Sequence, residues 1–465
     1  MILAVDQGTS STKATLFDAS GAPVASAAVP LVQSHPFPGW VEQDAVLILG
    51  SVREVIARIA DEHAVEAVAL STQRESALVW DRASGQPVGP MLGWQDRRTA
   101  SRAVAHAARA ARVRAITGLP LDPMFSALKL AWLLDRVDPD RSRSRRGELA
   151  VGTVDSWLVT ALTGEHRIEA GNASRTQLLD LGTGEWSEEL CELFDIPDAL
   201  LPRVAASDEP TAELTDLPGR SIHAILGDSH AALFGHGVRR PGAVKATYGT
   251  GSSVMGLAAD AGDIPDGLVG TLAWRLGDVP QVAFEGNILA SGATLAWLSR
   301  LLSRPVEELV ALARDVPSTH GVTLVPAMSG LGAPHWDPDA RAVLVGFDLG
   351  TEPAVLARAA MEAIAHQITD VLDAAATAAP IESILADGAP AADDFLMQLQ
   401  ADVAGRTVRR PELTGLSARG AAQLAAETLG GSFDAVESTT FTPAGDNRAM
   451  RAQWFRALNL THKEN

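Results

Sequence analysis

One pattern occurs twice in this chain, and it limits the fold more than any other feature. Ile2-Leu3-Ala4-Val5 is a short apolar run that predicts a buried strand. Asp6-Gln7-Gly8-Thr9-Ser10-Ser11-Thr12-Lys13 follows as a turn of glycine, hydroxyls and one cation, and Ala14-Thr15-Leu16-Phe17 returns as a second strand. Such a hairpin tip can offer backbone N–H groups, the hydroxyls of Thr9, Ser10 and Ser11, and the Lys13 ammonium to a phosphate. Asp6, at the mouth of the strand, is placed to hold Mg²⁺ through water. Taken alone the stretch is equally a solvated polar turn. The second copy shifts that balance. Residues 246–257, including Gly249-Thr250-Gly251-Ser252-Ser253, repeat strand, Gly/Thr/Ser tip and strand just past the middle of the chain. Two such hairpins suit a nucleotide held in a cleft between two similar domains.

Other nucleotide-binding architectures lose ground. The Gly-x-x-x-x-Gly-Lys-Ser/Thr spacing is absent, and no Gly-x-Gly-x-x-Gly opens a helix after a strand. With 465 residues the chain is too long for one ordinary domain. A net charge of −19 speaks against a nucleic-acid or anionic-membrane surface as partner. The single cysteine, Cys191, excludes an intrachain disulfide and a cysteine-based metal site. The opening residues lack a basic region and meet Asp6 too early for a signal peptide, and no apolar run approaches about 18 residues. These features predict a cytoplasmic enzyme with no membrane partner.

Along the chain, residues 46–59 show helical spacing, with the Pro/Gly loop 36–44 expected to cap that helix. Residues 65–70 read as a central strand buried on both faces. Polar residues just past such a strand are where open α/β sheets keep ligands, which makes Arg74 and Glu75 candidates for gripping a polyol's hydroxyls. As an isolated dipeptide they would more often be an exposed ion pair. Trp94 is either a floor for a sugar or a core residue. Residues 97–116 are expected to be one helix, 138–146 an exposed charged stretch, and 172–176 a polar loop. Residues 224–227 form another buried strand that ends at Asp228, which is placed either as a general base or as a helix cap. The domain boundary falls near residue 237, giving domains 1–237 and 238–465. In the second half, a helix is expected over 287–302, a long Gly/Pro loop over 329–341, and further helices over 355–375, 394–404, 417–429 and 448–460.

The ordered set of motifs resembles the FGGY family of carbohydrate kinases, and within it the glycerol kinase branch most. The matching residues are Asp6-Gln7-Gly8-Thr9-Ser10-Ser11, Pro38-Gly39-Trp40-Val41-Glu42, Gln73-Arg74-Glu75, Trp94-Gln95, Arg97-Arg98-Thr99-Ala100 and Asn172-Ala173-Ser174-Arg175-Thr176. Gly227-Asp228, Thr247-Tyr248-Gly249-Thr250-Gly251, Gly330-Leu331-Gly332-Ala333-Pro334, Trp336-Asp337-Pro338 and Phe395-Leu396-Met397-Gln398 continue the series in order. The resemblance implies a duplicated actin-like (ribonuclease H-like) α/β ATPase fold of two domains with a central cleft. It implies ATP and Mg²⁺ as cofactors and a small polyol or sugar as partner, with homodimer and homotetramer both open.

Roles follow residue by residue from the resemblance. Asp228 would take the proton from a primary hydroxyl, and Asp6 with Asp228 would hold Mg²⁺. Thr9, Ser10, Ser11, Lys13, Gly249 and Thr250 would cradle phosphates, with Gly388, Ala389 and Asp393 on the nucleotide's side. Arg74, Glu75, Trp94, Met124 and Ser229 would line the acceptor pocket. Four departures stand out. Glycerol kinases place a tyrosine at the position of Met124 and a glutamine at that of Ser229, so a larger acceptor has room here. The family's Asp-Gly-Gly becomes Asp387-Gly388-Ala389, and Asp393 stands where an asparagine is usual, which predicts weaker ATP binding. Glycerol is the leading acceptor. Erythritol, xylitol, xylulose or ribulose, or a catalytically weak regulatory relative, are the alternatives.

Overall fold

The computed structural model describes residues 1–461. The chain forms two compact units. The first comprises Met1–Gly237, Gly270–Ala283 and Gly415–Ala435, and the second comprises Val238–Val269, Phe284–Thr414 and Val436 onward. The last four residues of the span 238–465 lie outside the described residues.

The main sheet of the first unit grows from the hairpin. Ile2–Gln7, Ser11–Phe17 and Pro23–Pro30 form an antiparallel meander, and Ile2–Gln7 pairs on its other side with Ala67–Thr72 in parallel. Ala67–Thr72 then pairs in parallel with Leu217–Gly227. All six residues of Ala67–Thr72 are buried, as a strand covered on both faces demands. The helix Ala45–Ala60 covers one face of the meander strands Ile2–Gln7, Ser11–Phe17 and Pro23–Pro30. It packs Ile48, Val52, Val55, Ile56 and Ile59 inward, and Asp44 caps it by accepting from the amides of Val46 and Leu47. Leu3, Val5, Leu16, Val52, Leu70 and Trp157 share that core. The helix Leu416–Thr428 packs against the strands and the helix Asp228–Gly235. A Cβ on Gly420 would lie 1.8 Å from the Ala231 carbonyl, so only glycine permits this approach.

The second unit repeats the plan. Ala243–Tyr248 and Ser252–Leu257 form the hairpin, and Ser383–Asp387 and Thr407–Pro411 add in parallel. Ser438–Phe441 closes that edge antiparallel. Pro353–Ala375 is the long buried helix of this unit, and Asp394–Ala404 is another. No helix among the described residues is long and apolar enough to cross a membrane.

Several local expectations are corrected. The helix expected over 97–116 is broken into Ala100–Ala105, a 3₁₀ turn Ala107–Arg109, and Ala110–Thr117. The stretch 138–146 is not simply exposed. Asp138, Arg141 and Ser144 are buried, because the Asp138 carboxylate gathers the Ser144 amide and hydroxyl while Arg141 donates to the Asp138 and Asp195 carbonyls. Of residues 172–176, only Arg175 and Thr176 form a turn; the rest is helical. Ala170–Ser174 is a buried helical turn whose first amides, on Gly171 and Asn172, donate to Glu169. The helix expected from 287 begins at Gly292, since Val279–Ile288 continues as strand.

Candidate active site

Strand register brings the first unit's candidates together. Gln7 and Gly227 both sit level with Thr72, one on each flank of the central strand. Asp6 therefore lies at the carboxyl edge on one side, Asp228 one residue past it on the other, and Arg74 and Glu75 just beyond the strand between them. This edge is the ligand-binding edge of open α/β sheets.

Asp6 accepts from the Ser71 hydroxyl at 2.9 Å and faces Lys13 across the hairpin. Burial pushes its carboxyl up to about 6, and the nearby Asp228 charge adds to this, while Ser71 and Lys13 act against it. Asp228 opens the helix Asp228–Gly235, with Gly227 as the cap residue. Its Oδ1 accepts from the Ser229 amide at 2.6 Å and lies 3.2 Å from Arg74 Nε. The Asp228 side chain is 41% exposed against 10% for Arg74, so the carboxylate is held yet open to a ligand. Gly227 makes the pair possible, because a Cβ there would lie 2.8 Å from the Arg74 side chain.

Glu75 has a left-handed backbone (φ 63°), and its carboxylate accepts from Arg175 Nε at 2.6 Å. Both side chains are buried. Sequence reasoning took Arg175 only as part of a motif and gave it no role. Nothing in the polar run Ser174-Arg175-Thr176-Gln177 signalled a buried partner. Trp94 is part-exposed. Its indole N–H donates to Thr9 Oγ1 at 3.0 Å, which ties the ring to the hairpin tip, and its amide donates to Ser76 Oγ. Met124 is half-buried, with its amide held by Asp122 Oδ1 at 2.8 Å. Lys129, also missed in the sequence, is buried beneath Glu75 and Met124.

At the first tip, the Gly8 amide donates to the Ser11 carbonyl at 3.0 Å, closing the turn. Ser10 and Lys13 are exposed, Thr9 and Ser11 are partly so, and Thr12 turns inward to the Ser51 hydroxyl at 2.7 Å. In the second unit, the carbonyls of Gly249 and Thr250 accept from the Gly292, Ser291 and Ala293 amides at the start of Gly292–Leu302. Gly388 has φ 91°, and a Cβ there would sit 2.0 Å from the Tyr248 carbonyl. Ala389 begins the 3₁₀ turn Ala389–Ala392. Asp393 caps Asp394–Ala404 through the Leu396 amide and pairs with Arg314, so its extra charge is matched.

No group of three or more His, Cys, Asp or Glu among the described residues is set to hold a metal. Asp6 and Asp228, close enough to repel, fit a different demand. Mg²⁺ on a nucleotide takes one or two carboxylates and fills the rest with phosphate and water.

The profile of the FGGY family of carbohydrate kinases, N-terminal domain, matches residues 1–235, and that of its C-terminal domain matches 244–429. The chain is 43% identical to a glycerol kinase of Citrifermentans bemidjiense over 97% of this chain and 92% of that one. It is 45% identical to a glycerol kinase of Burkholderia cenocepacia over 92% and 89%. Among solved structures it is similar to Plasmodium falciparum glycerol kinase with ADP, with a TM-score of 0.93, 26% identity, and coverage of 100% and 98%. A ligand-bound xylulose kinase from Lactobacillus acidophilus shares the fold, with a TM-score of 0.88, 21% identity, and coverage of 99% and 96%. Two actin-like α/β domains, profile matches along both, and near-full-length relatives lead to one conclusion: the chain belongs to the FGGY family of carbohydrate kinases, phosphotransferases with an alcohol group as acceptor.

Proposed function

We propose that this chain transfers the γ-phosphoryl group of ATP to a primary hydroxyl of glycerol, giving glycerol 3-phosphate. The observation that carries the reading is the edge where Asp228, Arg74 and Asp6 converge at level strand ends. The names of the relatives, glycerol kinases at 43% and 45% identity, support the same acceptor.

Asp228 accepts the proton of the attacking hydroxyl as the oxygen closes on phosphorus, and the bridging oxygen leaves with ADP. Arg74 and the Ser229 amide orient the carboxylate for that transfer. Positioning and charge do most of the work in such a transfer. Glu75, oriented by Arg175, and Arg74 receive the acceptor's other hydroxyls, with Trp94 as an apolar platform and Met124 and Ser229 shaping the far wall. Thr9, Ser10, Ser11 and Lys13 of the first unit, and Gly249 and Thr250 of the second, present donors to phosphates. Gly388, Ala389 and Asp393 serve the nucleotide side. Mg²⁺, when bound with ATP, is held by Asp6 and Asp228 and supplies neutralisation of phosphate charge.

The test is ADP release with ATP and Mg²⁺ against glycerol, erythritol, threitol, xylitol, ribitol, xylulose, ribulose and gluconate. Glycerol is expected to give the highest kcat/KM. A longer polyol or ketose in first place would reassign the acceptor and trace it to Met124 and Ser229. No turnover with any alcohol, from folded protein, overturns the reading.

A further inference from the structure

Lys129 lies in the first turn of the helix Ser126–Val137, whose buried residues apart from it and Ser126 are apolar, Leu128, Leu130, Leu133 and Leu134 among them. Its side chain is fully buried. The ammonium donates to two backbone carbonyls, Met124 O at 2.5 Å and Glu75 O at 3.3 Å. The Ser126 hydroxyl donates to the same Glu75 carbonyl at 3.0 Å.

Burying a charge carries a desolvation cost. A methionine would fill much the same space without that cost. Burial pulls the ammonium down to about 7, with Glu75, Asp96 and Asp122 opposing and Arg97 adding to the fall. Even the neutral amine keeps two N–H donors, so the double contact survives its titration. What the lysine supplies is a tie between two peptides. One of them, at Glu75, is in a left-handed conformation that a side-chain-bearing residue adopts only under outside restraint.

We propose that Lys129 is a positioning residue for the alcohol: by clamping the Glu75 and Met124 peptides at one spacing it sets the acceptor's KM without touching the acceptor. This rests on the assignment of Glu75 and Met124 to the acceptor pocket. The clamp reaches neither hairpin tip, so its effect is confined to one substrate.

The experiment is Lys129→Met in the full chain, with both KM values measured and backbone hydrogen exchange followed by mass spectrometry. The acceptor KM is expected to rise about tenfold and the ATP KM to stay within about twofold. Exchange is expected to quicken at residues 73–77 and 122–127 and stay unchanged at 6–13. Lys129→Gln, which keeps N–H donors, recovers part of the acceptor KM. Equal rises in both KM values, unchanged exchange, or a glutamine variant no better than methionine overturns the proposal. If the native protein phosphorylates no alcohol, the functional reading has failed, and the exchange result alone decides the clamp. Should Lys129→Met not fold, Ser126→Ala removes one of the two donors to Glu75 O. It is expected to raise the acceptor KM about two- to threefold, and no change overturns the proposal.

Discussion

The two hairpins share a backbone plan and differ in how they distribute charge. In the first unit the strand entering the hairpin carries the carboxylate, Asp6, and its parallel neighbour carries the hydroxyl, Ser71. In the second unit the order is reversed: Thr247 is on the hairpin strand and Asp387 on the neighbour. The lysines differ as well. Lys13 is exposed across from Asp6, whereas Lys245 is buried and donates to the Thr247 hydroxyl at 2.6 Å. The duplicated scaffold thus keeps one carboxylate, one hydroxyl and one lysine at each edge and differs in which strand carries them and in whether the lysine is exposed.

The largest test of that asymmetry is Asp228→Asn, expected to lower kcat by about 10³. Asp387→Asn, the neutralisation on the other edge, should cost no more than about tenfold. Equal losses in steady-state assays would erase the distinction. Next is backbone tolerance. Gly388→Ala forces a Cβ against the Tyr248 carbonyl at positive φ and should destabilise by about 2–4 kcal/mol in urea unfolding. Gly8→Ala meets only the Ser11 carbonyl, at 3.4 Å, and should cost about 1 kcal/mol or less.

Smaller, and opposite in sign, is Asp6→Asn. The native carboxyl titrates near 6 when folded against 3.8 unfolded, so the folded state binds more protons between those values. Stability from this group is lost as pH rises through that window. The variant should therefore be more stable by about 1–3 kcal/mol at pH 8, with the gain vanishing below about pH 4, while activity falls. A variant less stable at pH 8 would mean that Asp6 is not strained by burial. The smallest effect belongs to Asp393→Asn. Asparagine keeps the cap and Arg314 loses a partner, so stability should shift by about 0.5 kcal/mol or less and the ATP KM by about twofold or less. A larger gain in ATP affinity would show that the extra carboxylate had been felt after all.

Both hairpins and the buried strand before Arg74 were legible because their signals are local: apolar runs, then glycine and hydroxyls. Asp228 was legible as a carboxylate at a strand end, although nothing local chose between base and cap. Arg175 and Lys129 were not legible. Arg175 is a long cation in a segment read as a polar loop, Lys129 is one for which no role was read, and only the fold shows that their partners are a buried carboxylate and two loop carbonyls. The buried Asp138–Arg141 turn was missed for the same reason. A dense run of charge looks solvated until its own backbone is seen to satisfy it. Helix breaks such as that at residue 106 depend on packing that residue type does not encode.

The helix Leu416–Thr428, fitted against Asp228–Gly235 at Gly420, is part of the first unit although it comes late in the chain. Its place has a consequence for biosynthesis. A ribosome that has released residues 1–237 has not yet made the piece that covers the central strands, and cannot supply it until about residue 435 emerges. The amino-terminal portion must wait, with part of its apolar surface bare, until that later segment is made. Cutting the gene after codon 237 would yield a fragment with Asp6 and Asp228 and without the helix that covers its core.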